Sequence, residues 1–292
     1  MGHSQKAVGL LILGLISASI LAWPAIGVQS SAPVPDFSGP WGRTSLDYEP
    51  PPSGPGPVVN TKHRLDMLVG DYTNPILMPW AAEEVRNHAE ISLRGDDYPT
   101  PSSQCYPEPP PYILRNTEMQ VLQQPNQITL LYQTDHQVRH VRLNQSHPAH
   151  VTPSWMGDSV GHYEGDTLVI DTIGIKVAPI PMIDRYGTPH SEALHLVERY
   201  RLIDGEAAKE AAEKNERDFG PTVERLVDFG YKGKGLQVQF TVEDPGVFTM
   251  PWSAVVTYRR ARPWEERVCA ENPHEYYAGK NTAIPRAGKP DF

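Results

Sequence analysis

The sequence predicts a mainly β protein: an antiparallel up-and-down barrel or sandwich, lipocalin-like, with a few short helices. Three observations carry that expectation. From Met119 onward, apolar and polar residues alternate with a period of two, the spacing of a strand with one buried face. The alternating runs are joined mostly by short turns and not by alternating helices, which argues against a parallel α/β architecture. The 292 residues include 30 prolines, which leaves little room for a helical bundle.

Taken in order, the chain opens with Lys6 before an uncharged apolar run over residues 7–28. Val28-Gln29-Ser30 fits the small-x-small rule for cleavage after Ser30, so residues 1–30 read as a signal peptide. An uncleaved anchor is the alternative, because the run is just long enough to span a bilayer. Either way the remainder is expected outside the cytoplasm, periplasmic or secreted, with membrane contact confined to that N-terminal segment if it stays uncleaved.

Residues 31–118 read as a proline-rich segment with one helix, residues 119–292 as the antiparallel β domain, and 31–292 together as one globular unit. Within the first segment, Asp36-Phe37-Ser38-Gly39-Pro40-Trp41 places two aromatics around a tight glycine turn that could plug one end of a barrel. Residues 49–57, with five prolines, cannot supply a ladder of N–H donors and read as extended surface chain. Residues 79–93 form the best early helix: Pro79 suits its first turn, Glu83 and Glu84 lie near its positive end and Gly95 can stop it.

Strands are expected over 127–133 and over 138–143, where Arg139, Val141 and Leu143 share one face and Val138, His140 and Arg142 the other. Residues 159–163 and 167–172 flank Glu164-Gly165-Asp166, a hairpin signal. In 193–203, Leu194, Leu196, Tyr200 and Leu202 share a face with Glu192 and Glu198. Residues 205–217 read as an exposed helix inserted between strands. Further strands follow over 223–231, 236–242 and 252–260, the last with Trp252, Ala254, Val256 and Tyr258 on one face. A closed barrel of about eight strands can hold one small ligand.

The formal net charge of -9 and the lack of a Lys/Arg cluster exclude nucleic acid as a partner and leave a small molecule. Cys105 and Cys269, in an oxidising compartment, could form a bridge. No glycine-rich turn opens a helix after a strand, so no dinucleotide or phosphate cofactor is expected. His147 and His150, with His136 and His140 in reserve, lack a carboxylate or cysteine at a recognised metal spacing, so no metal is expected either.

The candidate catalytic residues are Glu198, Tyr200, His190 and Asp184. Glu198 and Tyr200 would point into an apolar barrel as an acid/base pair with a raised glutamate pKa. The same residues also fit a buried ion pair with Arg139 or Arg142. His190 lies near Asp184 and Glu192 in sequence, a setting for a general base, although a capped turn explains those residue types equally. Ser159 has a Gly-x-Ser-x-Gly spelling but leads into a hairpin strand, not the helix of a nucleophile elbow. The candidate substrate-binding residues are Arg139 and Arg142, which would hold an anionic or carbonyl oxygen, with His147, Asp171 and Trp252.

Several pieces together resemble a family of exported bacterial proteins of unassigned function. They are Pro35-Asp36-Phe37-Ser38-Gly39-x-Trp41, Cys105-x-Pro107 and His147-Pro148, then Gly157-x-Ser159-x-Gly161-x-x-Glu164-Gly165-Asp166-Thr167-Leu168-Val169-Ile170-Asp171-Thr172. Arg139, Asp184-x-x-Gly187-x-Pro189-His190-Ser191-Glu192, Glu198-Arg199-Tyr200, Glu243-Asp244-Pro245, Pro251-Trp252 and Cys269-x-Glu271-Asn272 complete the set. The resemblance covers nearly the whole chain after the leader and implies export and a mostly β fold. Glu108-Pro109-Pro110-Pro111-Tyr112 departs from the pattern, standing where relatives carry Gly-x-Pro-Arg.

The expected function is an exported enzyme acting on a small organic molecule by acid–base chemistry in a barrel pocket, as a lyase, isomerase or hydrolase. The alternative is a periplasmic lipocalin-like carrier in which the same arginines orient a ligand without turnover. A structural envelope protein, its charges forming only a buried network, is the third reading.

Overall fold

A computed structural model describes residues 1–2, 34–64, 66–96, 98–115, 118–219 and 227–262. The expected signal segment, and Cys269 with the bridge expected from Cys105, lie outside the described residues.

Nine strands close into one barrel in chain order. They are β1 (Gly39–Gly42), β2 (Glu118–Gln123), β3 (Gln127–Tyr132), β4 (Val138–Leu143), β5 (Asp158–Glu164), β6 (Thr167–Ile173), β7 (His195–Ile203), β8 (Gly235–Glu243) and β9 (Trp252–Arg260). Among the described residues two α-helices accompany them, α1 (Pro79–Leu93) and α2 (Gly205–Phe219). The period of two sends Leu196, Glu198 and Tyr200 of β7, Val238, Phe240 and Val242 of β8, and Ala254, Val256 and Tyr258 of β9 into a buried interior.

Three expectations need correction. The up-and-down order breaks at one seam: β4 and β5 pair in parallel, whereas the other neighbours are antiparallel. Residues 144–157 carry the chain back to the end where β4 began, which a tight turn cannot do. Residues 36–41 are not a plug; their second half is β1, which closes the barrel between β2 and β9. The described part of the expected strand 223–231 is not a barrel strand. Val227 makes one isolated bridge to Ala261 and a turn follows, with the Tyr231 N–H donating to the Asp228 carbonyl at 3.2 Å; residues 223–226 lie outside the described residues.

The β1–β9 seam has an unusual construction. β1 reaches only Arg259 and Arg260 of β9. Farther along β9, Glu49 exchanges two backbone hydrogen bonds with Val255, at 2.8 and 2.9 Å, and the Pro55 carbonyl accepts from the Ser253 N–H at 3.0 Å. The proline-rich piece therefore covers the open edge of β9, mostly by supplying carbonyls, which proline retains although it has no N–H.

The two ends of the barrel differ. One carries the N-terminal approach, the β2–β3 and β5–β6 turns and α2. There the Arg260 guanidinium lies 3.9 Å from the Trp41 ring centroid and donates to the Ser38 carbonyl at 2.7 Å, while the Trp41 indole donates to the Phe37 carbonyl at 2.8 Å. A Cβ on Gly39, whose φ is +107°, would strike Arg260 at 2.4 Å, so this seal needs glycine. The opposite end carries the long connections 43–117, 174–194 and 244–251. α1 lies among them: Met78 N–H donates to the Val247 carbonyl at 2.8 Å, and Ala81, Val85, His88 and Ala89 form its buried stripe. Glu83 and Glu84 fall beyond its first turn, which has no acidic residue, and Glu83 pairs with Arg86 instead. The inserted helix α2 is anchored by Ala208, which fills the space above Gly235, and by Asn215, which donates to Glu49 at 2.8 Å.

Candidate functional site

The nine candidate residues fall into separate groups. Glu198, Tyr200 and Arg139 meet inside the barrel. Arg139 of β4 holds both oxygens of the Glu198 carboxylate on β7, one contact measuring 3.0 Å. Its Nε donates to Ser159 Oγ at 3.0 Å and its Nη2 to Thr172 Oγ1 at 2.6 Å, while the Tyr200 hydroxyl donates to Glu198 Oε1 at 2.9 Å. Both charged side chains are 0% exposed. Burial drives the Tyr200 phenol far above its usual range, and Glu198 beside it adds to the shift. For Arg139, burial opposes the charge but Glu198 more than offsets it, so the guanidinium stays firmly protonated. The Ser159 of the Gly-x-Ser-x-Gly spelling thus serves the arginine.

Asp184 and His190 sit apart from that pair, in the 174–194 connection. Asp184 Oδ1 accepts from the N–H groups of Tyr186 at 2.8 Å and Thr188 at 3.2 Å, which fixes a turn. Burial pushes its carboxyl up to about 6. His190 is buried and its ring is pushed down by that burial; its Nδ1 lies 3.2 Å from the Ser191 carbonyl. Trp252 is core: it is 2% exposed and meets Phe240 and Phe248 edge-on, with centroids 6.0 and 5.7 Å apart. Neither Arg139 nor Trp252 presents a surface to a ligand in this structure.

Arg142, His147 and Asp171 do come together, on the outer wall near the loop end. The outward parity of β4 presents Arg142, which grips Asp158 of β5 with two bonds of 2.8 and 2.9 Å. His147, in the 144–157 connection, lies between two carboxylates: Nδ1 is 2.6 Å from Asp158 Oδ1 and Nε2 is 3.0 Å from Asp171 Oδ1. The same Asp171 oxygen lies 3.1 Å from His195 Nε2 on β7, whose Nδ1 is 3.6 Å from Glu243 of β8. Register builds the row, since Asp171 opposes Val160 and Val197, and His195 opposes Glu243.

The row is open to water where the interior pair is not: side-chain exposure is 20% for His147, 33% for His195 and 40% for Asp171. The Arg142 guanidinium, ahead of the smaller contribution from His147, holds the Asp158 carboxyl below the usual range. A ring with both nitrogens against carboxylate oxygens, as in His147, can donate to both only when doubly protonated. Asp158, His195 and Glu243 were missed in the sequence. Alternation gives their outward parity, but only cross-strand register shows that they are neighbours.

Among the described residues no group of three or more His, Cys, Asp or Glu side chains is arranged to hold a metal ion. A cleft of about 410 Å³ at the other end, lined by Asp36, Gln123, Gln124 and Tyr163 among others, contains none of the candidate residues. Comparison of the chain with protein families, with characterised proteins and with solved structures finds no match.

Proposed function

We propose that this chain is an exported enzyme that acts on a small organic molecule by acid–base chemistry, as a lyase, isomerase or hydrolase, and that the outer-wall row does the proton transfer. One observation carries this reading: two imidazole Nε2 atoms, 3.0 and 3.1 Å from a single carboxylate oxygen, stand at a solvent-accessible surface. Imidazole exchanges protons near neutral pH, and a carboxylate against one ring nitrogen fixes which nitrogen carries the proton. His147, held on both sides, is read as the group that positions Asp171. Among the described residues the His195 ring has only Asp171 within hydrogen-bond distance and is read as the base. Export is supported by Lys6 and the apolar run over 7–28.

The test is proton exchange. The protein would be incubated in deuterated water with a panel of small esters, hydroxy acids, amines and carbonyl compounds, and deuterium uptake or turnover followed by NMR. Wild-type protein should label or convert at least one compound, and H147Q and H195Q should lose that activity by about 100-fold or more. Activity that survives both substitutions would remove the row from the chemistry, and a carrier would bind a panel member without exchange. Mature protein beginning at Ser31 in a periplasmic or culture fraction would test the export.

A further inference from the structure

We infer that the substrate of the outer-wall row is an organic amine, bound as its ammonium cation; this rests on the acid–base reading above. The argument starts from which atoms of the row are already committed. Its one guanidinium, Arg142, is bidentate to Asp158. Both nitrogens of His147 face carboxylates, and Nε2 of His195 faces Asp171. Apart from His195 Nδ1, whose nearest carboxylate oxygen is 3.6 Å away, every donor of the row therefore lies against one of its own acceptors, and an incoming carboxylate, phosphate or carbonyl oxygen would find a single ring nitrogen to receive it.

The uncommitted atoms are acceptors. Asp171 uses Oδ1 twice, and its second oxygen has no hydrogen bond among the described residues. Glu243 meets the row only through the 3.6 Å approach of Oε2 to His195, with its side chain 52% exposed. Three carboxylates, on β5, β6 and β8, stand against one arginine and two imidazoles. Adjacent strands lie roughly 5 Å apart, so this acceptor line runs across about 15 Å of wall. An anion would be repelled along that whole line, on a chain whose net charge is already -9. An ammonium group has three donors and no acceptor, the complement of what the row leaves open. The site expected for an anionic or carbonyl oxygen at Arg139 and Arg142 is thereby reassigned, because both guanidiniums already hold a carboxylate.

The test uses three probes of one shape: butylamine, butan-1-ol and butyrate, titrated at pH 7.5 into the whole soluble chain while the histidine ring signals are followed by NMR. Butylamine should move the His147 and His195 signals saturably, and the alcohol and the acid should not. D171N and E243Q should each weaken the amine by about tenfold, the scale of one lost charge-assisted hydrogen bond. E164Q, which alters an exposed carboxylate at the β5–β6 turn, should leave it unchanged. Two results would overturn the inference: butyrate or butanol moving the rings as well as the amine does, or an amine response that D171N and E243Q leave intact. A pH titration without ligand separates this from the underlying reading. Rings that titrate as a coupled pair while ignoring the amine defeat the substrate class alone. Rings that titrate independently, and stay independent in D171N, defeat the row itself.

Discussion

Strand β4 carries two arginines three residues apart, and the barrel treats them in opposite ways. Arg139 points inward and Arg142 outward. Each holds a carboxylate through two bonds, Glu198 in the first case and Asp158 in the second. The chemistry of the two pairs is the same; the solvent is not. Inside, desolvation makes any unpaired charge expensive, so Ser159, Thr172 and Tyr200 fill the remaining positions and the pair is closed to ligands. Outside, water screens the pair and its energetic worth is small, but its neighbours remain accessible. Burial turns a charge pair into structure, and exposure leaves one within reach of solutes.

The largest effect is expected where the interior pair is broken on one side. E198Q leaves Arg139 buried without its counter-charge and should cost about 3–5 kcal/mol, seen as a lower urea midpoint. Replacing both partners, as in R139M/E198L, should recover most of that loss, since a buried pair can often be exchanged for apolar side chains of similar volume. If E198Q were as stable as wild type, the interior pair would not be structural and the contrast with Arg142 would collapse.

Two buried groups that have no ion-pair partner among the described residues sharpen the comparison, because their effects must depend on pH. Asp184 has its folded pKa raised to about 6 from 3.8 by burial. The folded state therefore binds that proton more tightly than the unfolded chain. The resulting stability is complete below pH 3.8 and is lost as pH rises through 6, about 3 kcal/mol in all. D184N keeps an oxygen for the N–H groups of Tyr186 and Thr188, so it should stabilise the protein at pH 8 and change little at pH 3.5. His88 on α1 has the opposite sign. Burial lowers its folded pKa to about 4 from 6.5, so the folded state excludes the proton. Stability is complete above pH 6.5 and falls as pH drops through 4, again by about 3 kcal/mol at most. H88L should flatten that acid limb and leave the alkaline limb alone. Melting temperatures across pH 3.5–8.5 would separate the two groups.

The interior was legible in the sequence because alternation is a local property. It assigns Arg139, Val141 and Leu143 to one face and Arg142 to the other, and puts Glu198 with Tyr200, from a few neighbouring residues alone. The outer row was not legible as a row. Arg142, His147 and Asp171 could be picked out one by one, but their meeting depends on the parallel β4–β5 pairing, which the expected run of hairpins did not contain. His195 stands at the first position of a strand whose opposite face holds Leu196, Glu198 and Tyr200, and its partner Asp171 lies 24 residues away. β1 was misread because four residues containing Gly39 and Pro40 look like a turn; only closure of the barrel gives them strand partners.

The smallest change in stability is expected at the outer row, together, under the proposed function, with the largest change in activity. D171N should alter unfolding free energy by less than about 1 kcal/mol, because its histidine contacts are screened by water. The same substitution should uncouple the two rings and reduce any turnover to near that of H195Q. Salt should separate the sites further: raising ionic strength weakens the Arg142–Asp158 contact and leaves the Arg139–Glu198 pair nearly untouched. A D171N protein that melts several degrees lower but retains its chemistry would reverse the assignment. The row would then be a structural strap across β5, β6 and β7, and exposure would not be the property that divides the two arginines of β4.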